Sequence, residues 1–298
     1  MRVTLLGTGS ADGWPNPWCA CPSCAWARDT GNARGQTGVL LDDAVLVDIG
    51  PDVPRAAARF GVGLEGLRHL LVGHAHPDHV GPEALMWRSW STAATRPLDV
   101  VGPPAVLDAI AAFLTRWEGR APGEAGSPLR PRPALAGSPI RLDGPDKDGD
   151  GDGYRVVPVA ATHGDASIGP AVLYDITGPD GARLLYACDT GPLTTATVEA
   201  LAGRAFDVAL VEENNGDRPG FGDHLDLATF TTDLERLRAR DALTDTSTVV
   251  AVHLSHRNPP GPALAERLAA IGVDLLPDGA VLEATPGGRA TVTLPASG

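Results

Sequence analysis

The sequence predicts an α/β fold. Short runs rich in Val, Leu and Ile recur along the chain, segments with helical spacing alternate with them, and Gly, Pro and Asp bound both kinds. Strands are expected at 2–6, 39–41, 45–48, 70–73, 98–101, 155–160, 171–176, 183–187, 208–212, 249–253 and 281–283. Helices are expected at 54–60, 83–90, 105–117, 194–201, 227–240 and 263–270. Pro54 suits a first helical turn, where its missing N–H costs nothing. Leu227, Phe230, Leu234 and Leu237 fall on one helical face, and Asp226 before them is a natural N-cap. No repeat and no linker divides the chain, so one domain over 1–298 is expected. The Pro/Gly-rich stretch at 119–153 is read as an insertion. Its alternating Asp146, Asp148, Asp150 and Asp152 resemble the start of a calcium loop. The position that should carry a bidentate Glu is Val157 or Val159, so a solvated acidic loop is preferred.

Composition narrows the function. The chain has 298 residues, 43% hydrophobic and 20% charged, with a formal net charge of −13. Such a balance excludes a disordered chain. It argues against nucleic acid and anionic membranes, both of which need a basic footprint. No apolar run approaches the roughly 18 residues of a membrane span, and the N-terminus lacks the features of a signal peptide. A cytoplasmic protein with a small-molecule substrate is expected. Cys19, Cys21 and Cys24 lie within six positions. In a reducing compartment such a cluster more often binds metal than forms disulfides.

The histidines carry the chemistry. His74-Ala-His-Pro-Asp-His79 follows the apolar run Leu70-Leu-Val, at a strand's C-terminal end, where α/β proteins place function. Imidazoles and carboxylates at this density suit zinc, manganese or iron. Two such metals could polarise a phosphoryl or acyl oxygen.

His74-x-His76-x-Asp78-His79 resembles the signature of the metallo-β-lactamase superfamily. Leu5-Leu-Gly-Thr-Gly-Ser10 and Leu46-Val-Asp-Ile-Gly50 match its first core strands. The resemblance implies an αββα sandwich. It implies one metal held by His74, His76 and His163, a second held by Asp78, His79 and His253, and Asp189 bridging them. Asp78 would also orient the attacking water. Cys19, Cys21, Cys24 and His256 resemble the extra structural zinc site of the phosphodiesterases of the carbon–phosphorus lyase pathway. Gly222-Asp-His224-Leu matches a segment of those enzymes and of tRNA 3′-end endonucleases that carries a further histidine, which makes His224 the expected general acid. Arg88 could clamp a phosphate, and Glu213, Asn214 and Asn215 could line the substrate pocket. His69 and Cys188 are read as packed residues.

The leading expectation is a dinuclear phosphodiesterase acting on a small phosphate ester; a homodimer is compatible with it. The alternatives are a redox or binding member of a cofactor or natural-product pathway, a lactonase, and a tRNA 3′-end endonuclease. Against the last, only 25 residues stand between His163 and Asp189, too few for a tRNA-gripping arm.

Overall fold

The computed structural model describes residues 1–144 and 153–296; the Asp-rich run expected to be a surface loop lies outside them. The first sheet has eight strands. They are β1 (Arg2–Gly7), β2 (Gly38–Leu41), β3 (Val45–Val47), β4 (His69–Leu71), β5 (Leu98–Gly102), β6 (Leu129–Pro133), β13 (Val281–Glu283) and β14 (Thr291–Thr293), in the order β14-β13-β1-β2-β3-β4-β5-β6. The second has six: β7 (Ile140–Leu142), β8 (Tyr154–Ala160), β9 (Val172–Thr177), β10 (Arg183–Ala187), β11 (Val208–Glu212) and β12 (Thr248–Val252), in the order β12-β11-β10-β9-β8-β7.

The strands are apolar on both faces, and each face has its own partner. Val3, Leu5, Val39, Leu41 and Leu71 of the first sheet meet Tyr154, Tyr174, Leu184 and Tyr186 of the second in a central core. Leu40, Leu46 and Leu70 point the other way. They pack on α2 (Val53–Arg59), α3 (Pro82–Ser89) and α4 (Pro104–Glu118) through Val53, Leu85, Ile110 and Leu114. On the second sheet's outer face, Leu185, Ala209 and Val249 pack on α5 (Thr195–Leu201), α6 (Leu227–Arg238) and α7 (Gly261–Ala269). The result is the expected αββα sandwich. Asp226 caps α6, accepting from the Ala228 and Thr229 N–H groups in a reciprocal capping box.

Two expectations change. The stretch read as an insertion contributes β6 and β7, one edge strand to each sheet. Pro131 and Pro133 are tolerated in β6 because an edge strand leaves one side of its backbone unpaired. A further helix, α1 (Pro22–Thr30), starts within the cysteine cluster, with Cys21 as its N-cap. Among the described residues, no helix is long and apolar enough to cross a membrane.

The parallel pairings β3–β4 and β10–β11–β12 set the site. They bring the C-terminal ends of β3 and β4 from one sheet to those of β10 and β12 from the other.

Candidate metal centre and thiol cluster

The site is built at strand ends by residues in an unusual backbone state. Asp48, Asp189 and His253 have φ of 60°, 55° and 56°, in the left-handed region that L-residues seldom occupy. Each lies one or two residues beyond β3, β10 or β12. Such residues persist where surrounding structure over-determines them, and functional sites are where they cluster. Gly50 serves the same geometry: a Cβ there would lie 2.0 Å from the Asp78 carbonyl oxygen, so only glycine lets the histidine-rich turn pack against the end of β3.

Two donor sets meet at Asp189. In the first, His74 Nε2 and His163 Nε2 lie 2.9 and 3.2 Å from His76 Nδ1. Asp189 Oδ2 is 3.4 Å from His74 Nε2 and 3.8 Å from His163 Nε2. In the second, His79 Nε2 is 3.1 Å from Asp78 Oδ2 and 3.3 Å from Asp189 Oδ2, while His253 Nε2 is 3.0 Å from Asp189 Oδ1. All the catalytic-metal ligands expected from the sequence therefore converge.

The donors fit divalent cations. His79 Nδ1 bonds to Asp48 Oδ2 at 2.7 Å, which fixes the proton there and turns the Nε2 lone pair toward two carboxylates. Nε2 is buried and makes no hydrogen bond with either. A lone pair facing carboxylate oxygens is repulsive unless a cation lies between them. Burial lowers the His79 imidazole, but Asp78, Asp189 and Asp48 together outweigh it and raise it well above its ordinary value. The same negative field that holds a proton on the ring would attract a divalent cation in its place. Burial lowers the His74 imidazole, keeping it in the neutral, ligating form.

Several orienting groups were not legible in the sequence. Asp48 Oδ2 also accepts from the Tyr186 hydroxyl at 2.7 Å, and its Oδ1 accepts from the Gly73 N–H at 3.0 Å. His163 Nδ1 donates to the Asp223 carbonyl at 3.0 Å. Cys188 is buried in the core as expected, yet its thiol donates to Asp189 Oδ1 at 3.4 Å. Burial raises that thiol well above its ordinary value, so it stays protonated beside the carboxylate.

His224 stands across from the two donor sets. Its ring stacks on His253 at 5.5 Å between centroids and lies 5.0 Å from that of His163. Its Nδ1 is 2.9 Å from Glu212 Oε2, a fully buried carboxylate whose other oxygen accepts from the Leu225 N–H. Burial lowers the His224 imidazole, but the Glu212 carboxylate outweighs it and pushes it up to about 9. The ring is thus held protonated in the pocket, as a proton donor must be.

The four residues expected to form a thiol site also come together: Cys19, Cys21, Cys24 and His256 place their donor atoms within 4.8 Å of one another. Cys21 Sγ is 3.7 Å from His256 Nδ1. Burial raises the Cys21 thiol, but the Cys24 N–H, His256 and Cys19 bring it down to about 6. Thiolate character at one member suits a soft cation.

The expected substrate residues divide. Asn214 lines a cavity of about 450 Å³ beside the metal donors, and its amide donates to the His253 carbonyl at 3.2 Å. Glu213 and Asn215 are fully buried and do not line it; Glu213 Oε1 accepts from the Gly216 N–H at 2.9 Å. Arg88 is not brought there either. It sits on α3, donates to the Arg96 carbonyl and lines a separate cavity between α3 and α4. His69 is a packed residue, bonded between Asp99 and the Asp143 carbonyl at 3.1 Å each.

A family model described as a β-lactamase superfamily domain matches residues 43–254. The chain belongs to that superfamily, as its strand-end histidines imply. Among its relatives, ribonuclease Z of Mycobacterium avium (strain 104) is 35% identical over 201 residues, covering 64% of each chain. The chain thus spans 64% of the length of that curated relative. A diphosphatase from the PhnP family superposes with a TM-score of 0.70 at 21% identity, covering 95% of this chain and 97% of that one. Zinc-bound PqqB from Methylobacterium extorquens gives 0.74 at 18% identity, covering 95% and 100%. These two likenesses establish the fold. The charge-based expectation against a nucleic-acid partner is not supported, because the sequence relatives are named as ribonucleases.

Proposed function

We propose that this chain is a dinuclear metal-dependent hydrolase that cleaves phosphodiesters. The observation that carries this reading is the arrangement around Asp189: one carboxylate faces two donor sets, and a protonated His224 backed by Glu212 stands across the same pocket. His74, His76 and His163 would hold one divalent cation, and Asp78, His79 and His253 the other, as zinc, manganese or iron. When bound, the two cations would supply Lewis acidity for a phosphoryl oxygen and activate water at neutral pH. The chain's own groups do the rest. Asp78 orients the water, and His224 delivers a proton to the leaving oxygen. Glu212 keeps that proton in place and, with the Leu225 N–H on its other oxygen, holds the ring's position. A reducing, cytoplasmic setting belongs to this reading, because thiolates must stay reduced to hold a metal, and a third, structural zinc would occupy the thiol cluster.

A small phosphate ester is the preferred substrate. The chain between His163 and Asp189 is used by β9 and β10, which leaves little length for an arm that could grip a polyanion. The second reading, tRNA 3′-end cleavage, is favoured by the 35% identity to ribonuclease Z. The decisive test is turnover of bis-p-nitrophenyl phosphate, cyclic nucleotides, lactones and a tRNA precursor with a 3′ extension, each with zinc, manganese and iron. Phosphodiester turnover supports the proposal. Turnover of the lactone alone, or redox activity dependent on iron, overturns it.

A further inference from the structure

The metal-side cavity holds one strong cation that the proposed chemistry does not use. Arg257 lines this cavity together with His76, Asp78, Asp189 and His224. Its guanidinium carbon lies 3.6 Å from the centroid of the Phe221 ring, which lines the same cavity. Its side chain makes no hydrogen bond and no ion pair among the described residues. Arg34 is held by Thr8 and the Leu276 carbonyl, Arg204 by Asp175 and Arg267 by Asp217; what sets Arg257 apart from arginines that likewise meet only a ring, such as Arg55 on Trp87, is its place in this cavity. Arg257 has five donors and an aromatic backing; the Asp12 carboxylate, which lines the same cavity, acts on it electrostatically but accepts no hydrogen bond from it.

The backbone beneath it is held firmly. The Arg257 N–H donates to Ser255 Oγ at 3.1 Å, and Ser255 Oγ donates to the Asn214 carbonyl. A Cβ at Gly216 would lie 2.7 Å from the Arg257 carbonyl oxygen, so the loop leading to Phe221 is packed against it. The preceding residue, His256, belongs to the thiol cluster. A guanidinium whose carbon sits over a ring meets it through its π-face contact and leaves N–H groups for another partner, and that planar fork matches two oxygens of a phosphate. We propose that Arg257, backed by Phe221, grips a phosphoryl oxygen of the substrate and makes this pocket select phosphate esters over uncharged esters. The proposal rests on the hydrolase reading above and names the residue that sets its substrate class.

The test uses the metal-loaded full chain and the variants Arg257→Ala, Arg257→Lys and Phe221→Leu, with metal content and melting temperature checked first. Two quantities are read: KM for bis-p-nitrophenyl phosphate against p-nitrophenyl acetate, and the Kd of inorganic phosphate by calorimetry. Loss of a charge-assisted fork should raise the phosphodiester KM and the phosphate Kd about 10- to 100-fold in Arg257→Ala. The KM for the acetate should stay within about twofold. Arg257→Lys keeps the charge without the fork and should fall between. Phe221→Leu should weaken phosphate about 2- to 10-fold. Unchanged phosphate affinity in Arg257→Ala, or equal KM rises for both esters, overturns the proposal. If Arg257→Ala does not fold, the same comparison in Arg257→Lys and Phe221→Leu decides. If the parent protein turns over no phosphodiester, the hydrolase reading fails, and the phosphate affinities still decide the role of Arg257.

Discussion

Replacing Asp48 with Asn isolates one charge behind the metal centre. Asp48 is 1% exposed and accepts three hydrogen bonds, from His79 Nδ1 and the Tyr186 hydroxyl at 2.7 Å and from the Gly73 N–H at 3.0 Å. Asn tolerates the left-handed backbone found here, so the turn should survive. The amide keeps one oxygen but must present its NH2 to at least one of the three donors. Leaving one buried donor unmatched costs about 1–3 kcal/mol, which is roughly a 5- to 150-fold change in an equilibrium constant. If the unmatched donor is His79, its Nε2 lone pair is no longer held toward the metal. A chelator-competition titration of Asp48→Asn should therefore show one catalytic metal bound about 10- to 100-fold more weakly. The site of His74, His76 and His163 should change little. Unchanged affinity at both sites would falsify the assignment of Asp48 as the group that orients His79.

Cys21→Ser should lose about one equivalent of metal and melt at a lower temperature, because a structural zinc contributes its binding energy to folding; unchanged zinc content and melting temperature would sink the thiol-site reading. In His224→Ala the rate should fall about 10²–10⁴-fold for esters with poor leaving groups, much less for p-nitrophenyl esters, with metal content intact. Equal losses for both substrates would mean that His224 only binds. Glu213 is pushed up to about 8 by burial, so the folded chain holds a proton that the unfolded chain releases near its ordinary value of 4.5. The stability this contributes is full below about pH 4.5 and is lost as pH rises through about 8. Denaturant titrations of Glu213→Gln, which keeps the acceptor for the Gly216 N–H, should show a smaller decline between pH 5 and 8; an unchanged decline would rule out this titration.

What was legible in the sequence was local. His74, His76, Asp78 and His79 announce themselves because six positions on one strand-end turn carry four donors. The strands were legible as apolar runs because each buries both faces; their division into two sheets came from the family resemblance alone. What the sequence concealed was set by distance. Asp48 reads as the last residue of an apolar strand, and its partner His79 lies 31 positions away. Glu212 is one of two adjacent glutamates, and nothing local shows that β11 buries it beneath His224. Arg88 was singled out because a guanidinium matches phosphate with two donors, but α3 places it in a separate cavity, away from the strand-end donors. Arg257 passed unremarked beside His256, since nothing in a linear string says which arginine will find no carboxylate. The strands β6 and β7 hid in a proline-rich stretch because edge strands accept residues that central strands reject.

The division of the donors between the two sheets has a consequence for the order in which the chain is made. Synthesis runs from the N-terminus, and early segments begin to fold first. His74, His76, Asp78 and His79 emerge from the ribosome long before Asp189 and His253 exist. For that interval the nascent chain presents three histidines and a carboxylate with no geometry imposed on them, a set that any available divalent cation could visit. Discrimination between metals through coordination shape begins only when residue 253 has emerged and β12 has joined the second sheet. On the proposed reading, the free-metal pool at that moment, rather than at the start of translation, would decide which ions enter the centre.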